Sequence, residues 1–137
     1  MSRILGIDFG LKRIGLAVTD PLKMFAQPLE TIQATTFPDW LKSYTNNESL
    51  DCIVVGMPVN LSGEDTDATQ YVKQFIEWLN TNYPQIPVEI IDERFSSHDA
   101  QQQLHTMGLK KNQRREKGVL DTVSATLILQ TYLQKIA

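Results

Sequence analysis

At 137 residues, with 42% hydrophobic and 21% charged side chains, the chain can build one core and is too apolar for a disordered tail. Its single cysteine, Cys52, excludes an internal disulfide and a cysteine-built zinc cluster, and no apolar run reaches the roughly 20 residues that a bilayer span needs. A formal net charge of −3 argues against binding nucleic acid by bulk attraction alone.

In chain order, residues 3–9 read as a strand, 10–12 as a tight turn in which Gly10 supplies a positive φ, and 13–19 as a second strand. Strands joined so closely must be antiparallel. Residues 28–33 give a weaker third strand. Phe37, Trp40, Leu41 and Tyr44 recur at helical spacing behind Thr36, the expected N-cap. The run "DCIVVGMP", stopped by Gly56 and Pro58, reads as a strand buried on both faces. Ala68, Val72, Phe75, Ile76 and Leu79 mark an amphipathic helix entered through "SGEDTD". The segment "VEIID" (88–92) is the next strand. One helix is expected from about residue 97 and a last one over about 114–133. This order predicts an α/β fold: a mixed five-stranded sheet opened by an antiparallel hairpin, with helices on both faces, in a single domain over 1–137. The N-terminal stretch does not read as a signal peptide, so the expectation is a cytoplasmic protein without membrane association.

In "RILGIDFGLKRIGLAV" a carboxylate, Asp8, stands among aliphatic residues. An ionised carboxylate left unpaired in an apolar site is very unfavourable, so it needs a partner or a task. Strand alternation puts Ile4, Gly6 and Asp8 on one face. Asp92 and Glu93, in "IIDERFSS", fall at another strand's C-terminal end, where ligands of α/β sheets bind; strand parity alone leaves open which of the two faces the site. Asp121, in "KGVLDTVSATLILQ", shares a helix face with Ser124, Ala125 and Ile128, residues small or apolar enough to let the helix approach the sheet closely. Each acid has a structural reading on its own: a turn residue, a partner for Arg94, a first-turn acid favoured by the helix dipole. Together, the three have one economical explanation, a shared site for one or two Mg²⁺ or Mn²⁺ ions, hard cations that take oxygen ligands. His98 and His105 lack the cysteine partners of a zinc site. In "KKNQRREK" (110–117) five basic residues meet one acid, and Lys12, Arg13 and Arg94 flank the candidate acids. Trp40, Trp78 and Tyr71 read as core or helix-surface residues rather than base-stacking platforms, and Cys52 as inert core.

The four motifs "GIDFGLKRIGLAVTD", "VVGMPVNLSGEDT", "DERFSSHDA" and "KGVLDTVSATLILQTYL", in this order, resemble the YqgF/RuvX family, and the resemblance runs from residue 4 to residue 133. The resemblance implies an RNase H-like fold and a metal-dependent nuclease with catalytic, metal-holding acids at Asp8, Glu93 and Asp121. It favours Glu93 over Asp92. The family is described both as a Holliday junction resolvase and as the nuclease that matures the 5′ end of pre-16S ribosomal RNA. Departures are small: "SS" at 96–97 and "TVSA" at 122–125 stand where Thr-rich and Ala-rich stretches are expected. The nucleic-acid contacts expected on this reading are Lys12, Arg13, Arg94, Lys110, Lys111, Arg114, Arg115 and Lys117. Precursor rRNA is favoured over branched DNA, because cutting a junction symmetrically calls for a dimer and no self-complementary apolar patch stands out. Ribosomal particles are a further expected partner, and the expected state is a monomer or weak homodimer. Two rivals differ in class. An actin- or sugar-kinase-type ATPase shares the "DxG" hairpin but needs a second domain, for which the length leaves no room. A non-catalytic RNA- or ribosome-binding factor would use the acids only structurally.

Overall fold

The computed structural model describes residues 2–58, 67–92 and 117–136, and of 117–121 only the backbone. The opening hairpin forms as its pattern requires. β1 (Ser2–Phe9) pairs antiparallel with β2 (Arg13–Thr19), Asp8 lying opposite Gly15. β3 (Ala26–Gln33) extends the hairpin, antiparallel to β2. A single 3₁₀ turn leads into α1 (Phe37–Asn47), then come β4 (Ser49–Met57), α2 (Asp67–Asn82), β5 (Val88–Asp92) and α3 (Lys117–Ile136). The sheet order is β3-β2-β1-β4-β5, with β1–β4 and β4–β5 parallel, so five strands form the expected mixed sheet.

Alternation along the strands feeds two cores. Leu5, Ile7, Ile14, Leu16, Ile53 and Val55 pack against Phe37 and Leu41 of α1 and Val72, Phe75 and Leu79 of α2. Ile4, Ala17, Cys52, Val54 and Ile91 point the other way, onto Ala125, Ile128 and Leu129 of α3. Residues 52–56 of β4 are buried without interruption, which is why they read as a continuous apolar run. Burial pushes the Cys52 thiol up, opposed by a hydrogen bond in which Sγ meets the Tyr132 hydroxyl at 3.9 Å. A raised thiol pKa means little thiolate, the inert behaviour expected of it.

Several local expectations are corrected. β3 starts at Ala26 rather than 28; as an edge strand with an exposed middle it has no apolar alternation to announce it. Gly10 does not take a positive φ. It is needed for space, because a Cβ there would lie 2.6 Å from the carbonyl oxygen of Arg13. Among the described residues, the non-glycine position with positive φ is Lys23 (58°). Thr36 is the N-cap residue of α1, but its hydroxyl donates back to the Gln33 carbonyl instead of capping the helix. The helix expected from about residue 97 lies outside the described residues. α3 runs to Ile136, nearly a turn past its expected end.

The β2–β3 turn is held by one side chain. The Asp20 carboxylate accepts from the amides of Phe25 (2.8 Å), Met24 (2.9 Å) and Leu22 (3.1 Å). These bonds, with Phe25 first, hold its carboxyl below the ordinary aspartate value against an opposing push from desolvation. A depressed folded-state pKa stabilises the turn above the unfolded-state pKa, and that contribution is lost as pH falls through the folded value. Amide exchange at Met24 and Phe25, corrected for its intrinsic pH dependence, should therefore gain protection up to the ordinary carboxylate range and stay level above it. Asp20→Ala should remove this pH dependence; an unchanged profile in the variant would assign the protection to something else.

Candidate active site

Position 8 is the penultimate residue of β1, and Asp8 is half-buried there. It follows Ile4 and Gly6 on the face that α3 covers. Across the sheet its row runs Asp8, Gly15, Thr31, from β1 through β2 to β3. The hydroxyl of Thr31 shares a hydrogen bond with that of Thr122 at 2.5 Å. This ties the N-terminal part of α3 to the strand row that contains Asp8.

The path of α3 follows from this contact and two more. Thr122 meets Thr31 at the Asp8 level. Ala125 and Leu129 lie on Gly6, where an added Cβ would stand 2.8 Å from the Leu129 Cβ and 3.0 Å from the Ala125 carbonyl oxygen. Tyr132 reaches Cys52, the partner of Ile4 on β4. The helix therefore descends antiparallel to β1, from its C-terminal end toward its start. Position 121 precedes Ala125 by four residues on the same stripe, just over one turn or about 6 Å nearer the Asp8 end. Asp8 follows Gly6 by two residues, about 6.6 Å of strand in the same direction. The backbone thus brings positions 8 and 121, 113 residues apart in the chain, to one end of one sheet face.

On β5, Ile91 packs on the α3 face, and its neighbour Asp92 pairs with Met57 of the opposite core. Parity thereby turns Asp92 away from Asp8, a choice left open by the sequence. Glu93 lies outside the described residues, as do Arg94, Lys110, Lys111, Arg114 and Arg115. Lys117 opens α3 and is described by its backbone only. Among the described residues no three acidic, histidine or cysteine side chains converge, Asp8 being the one member of the expected triad whose side chain is described.

Lys12, exposed, and Arg13, half-buried, sit on the turn that leaves β1 directly after Asp8. A cleft of about 480 Å³ opens on the α2 side of this turn, lined by Phe9, Leu11, Lys12, Arg13, Ala68 and Tyr71. Sequence reasoning missed four residues here. Thr31 and Thr122 fix the helix relative to the sheet, and no sequence signal pairs them across 91 positions. Tyr71 reads as a core or helix-surface residue, and its 42% exposure puts it at the surface, yet it lines the cleft. Gly6 could have been found: a glycine inside an apolar strand marks a close backbone approach.

Comparison with known proteins fits this geometry. A family model described as RuvX, Holliday junction resolvase, matches residues 2–135. A protein of Porphyromonas gingivalis named "Putative pre-16S rRNA nuclease" is 42% identical over 133 residues, covering 97% of this chain and 96% of that protein. A protein of the same name from Christiangramia forsetii is 41% identical over 133 residues, covering 97% and 98%. Among solved structures, Thermus thermophilus RuvC in complex with Holliday junction substrate superposes with a TM-score of 0.59 at 16% identity, over 98% of this chain and 96% of that one. At that identity the likeness speaks for the fold, which is RNase H-like.

Proposed function

Because the chain belongs to the RuvX family, we propose that it is a metal-dependent endonuclease that hydrolyses phosphodiester bonds in the 5′-end maturation of pre-16S rRNA. The observation that carries this reading is the Thr31–Thr122 tie, which supports a meeting of positions 8 and 121 at one end of the sheet. In this proposal Asp8, Glu93 and Asp121 act as ligands rather than as general bases. They are assigned to one or two Mg²⁺ or Mn²⁺ ions. The donor chemistry fits: carboxylate oxygens suit hard cations, and the one thiol, Cys52, is buried near the other end of β1 beside Ile4. When bound, a pair of such ions lowers the pKa of water and neutralises charge on the leaving oxygen.

The chain's own share is placement. The acids, drawn from a strand end, a segment after β5 and the last helix, fix the ions beside the strand to be cut. Lys12, Arg13, Arg94, Lys110, Lys111, Arg114, Arg115 and Lys117 grip phosphates, which positions the substrate without reading its sequence. Binding of this kind weakens steeply as salt rises. Further parts of the proposal are a single domain over 1–137, acting in the cytoplasm as a monomer or weak homodimer on ribosomal precursor particles. The family's description as a Holliday junction resolvase supports a second reading, the same chemistry on branched DNA.

One experiment separates the readings. Cleavage of precursor rRNA and of a four-way DNA junction is followed while Mg²⁺ or Mn²⁺ is titrated, for wild type and Asp121→Asn. The expected result is cleavage that needs the ion, prefers the RNA, and falls on the order of a hundredfold or more in the variant, about 2.7 kcal/mol at the transition state. Junction cutting without RNA cutting selects the second reading. Tight RNA binding with no cleavage at any ion concentration selects the non-catalytic factor.

A further inference from the structure

The cleft beside Lys12 has a composition that holding metal does not explain. It adjoins Asp8 through the chain itself: Phe9 follows Asp8 on β1 and points to the opposite face, into the cleft. Phe9 stacks on Phe75 at 4.5 Å between ring centres, and Phe75 stacks in turn on Trp78. This ladder of rings is rooted in the core and ends at the cleft wall. Tyr71 stands one turn before Phe75 on α2 and is 42% exposed. It joins no ring pair among the described residues. Leu11, 61% exposed, faces solvent from the turn. At about 480 Å³ the cleft lies within the roughly 300–1,000 Å³ of small-ligand sites.

Aromatic and aliphatic walls with cations at the rim are the chemistry of a nucleobase and its phosphate. Bases stack on exposed aromatic rings without needing a particular sequence, while Lys and Arg hold the backbone. A base inside a duplex is already stacked and paired, so the cleft selects an unpaired nucleotide. We propose that the cleft between the β1–β2 turn and the start of α2 binds one unpaired nucleobase of the substrate strand, next to the scissile phosphate, stacked on Tyr71 with Lys12 on the neighbouring phosphate. This rests on the nuclease reading and deepens it: the strand passes over the Gly10 turn, its phosphate on the Asp8 face and the adjoining base on the α2 face.

The test uses single-stranded RNA carrying one 2-aminopurine, moved stepwise along the strand, bound to Asp8→Asn protein so that it is not cut. At one position next to the cut site, binding should quench the fluorescence. Tyr71→Ala should abolish that quench and raise KM about tenfold with kcat little changed, about 1.4 kcal/mol of stacking. Tyr71→Phe should restore both. Lys12→Ala should lower the slope of log affinity against log salt by about 0.7. Equal quenching in Tyr71→Ala, or equal quenching of the same base in a duplex, overturns the proposal. The two readings fail separately. Cleavage by wild type with kinetics unchanged in Tyr71→Ala rejects the base site and leaves the nuclease. A Tyr71-dependent quench in a protein that never cuts rejects the nuclease and leaves the base site.

Discussion

Asp8→Asn should abolish cleavage, by on the order of a thousandfold or more, about 4 kcal/mol at the transition state. The side chain keeps its size and one carbonyl acceptor but loses the charge that a divalent ion needs. It stands half-buried at a strand end, on the face that α3 covers. The fold should survive, since neither core is built on this residue. The decisive comparison is thermal unfolding with and without Mg²⁺. An ion that binds the folded state alone stabilises it by RT ln(1 + [L]/Kd), so wild type should melt higher when the ion is added. Asp8→Asn should show no such rise. Full cleavage by the variant would remove Asp8 from the chemistry.

Gly6→Ala should cost about 1–3 kcal/mol of stability, the usual price of overpacking a tight core. The added methyl would come within 2.8 Å of the Leu129 Cβ and 3.0 Å of the Ala125 carbonyl oxygen. Neither is the loose end of a flexible side chain, so α3 must lift from β1. That shift also moves position 121 relative to Asp8. The variant should therefore lose cleavage out of proportion to the fraction unfolded, and its urea midpoint should fall. A midpoint equal to wild type would show that the helix yields without cost.

Much of this is legible in the residues. β1, β2 and β4 announce themselves because alternation or continuous burial leaves aliphatic runs bounded by Gly and Pro. Asp8 stands out because it interrupts such a run, and the stripe of Asp121, Ala125 and Ile128 shows because helical periodicity is local. What stays hidden is what depends on two distant pieces. β3 lies at the sheet edge, its middle exposed, so no pattern marks its first residues. That Asp92 turns away from Asp8 depends on the side of β5 that α3 covers, which Ile91 reveals only once packed. The turn at Gly10 looks like a demand for unusual φ, yet the constraint is a carbonyl oxygen of Arg13 that only the closed hairpin brings near. Tyr71 reads as a core or helix-surface residue until the hairpin turn is set beside it.

α3 has one more effect. It supplies both position 121 and the lid over Ile4, Ala17, Cys52 and Val54. A polypeptide whose synthesis stops before Lys117 would thus lack position 121 and carry a greasy sheet surface bare to water. Such a fragment would be conspicuous to proteases, so premature termination yields waste for degradation.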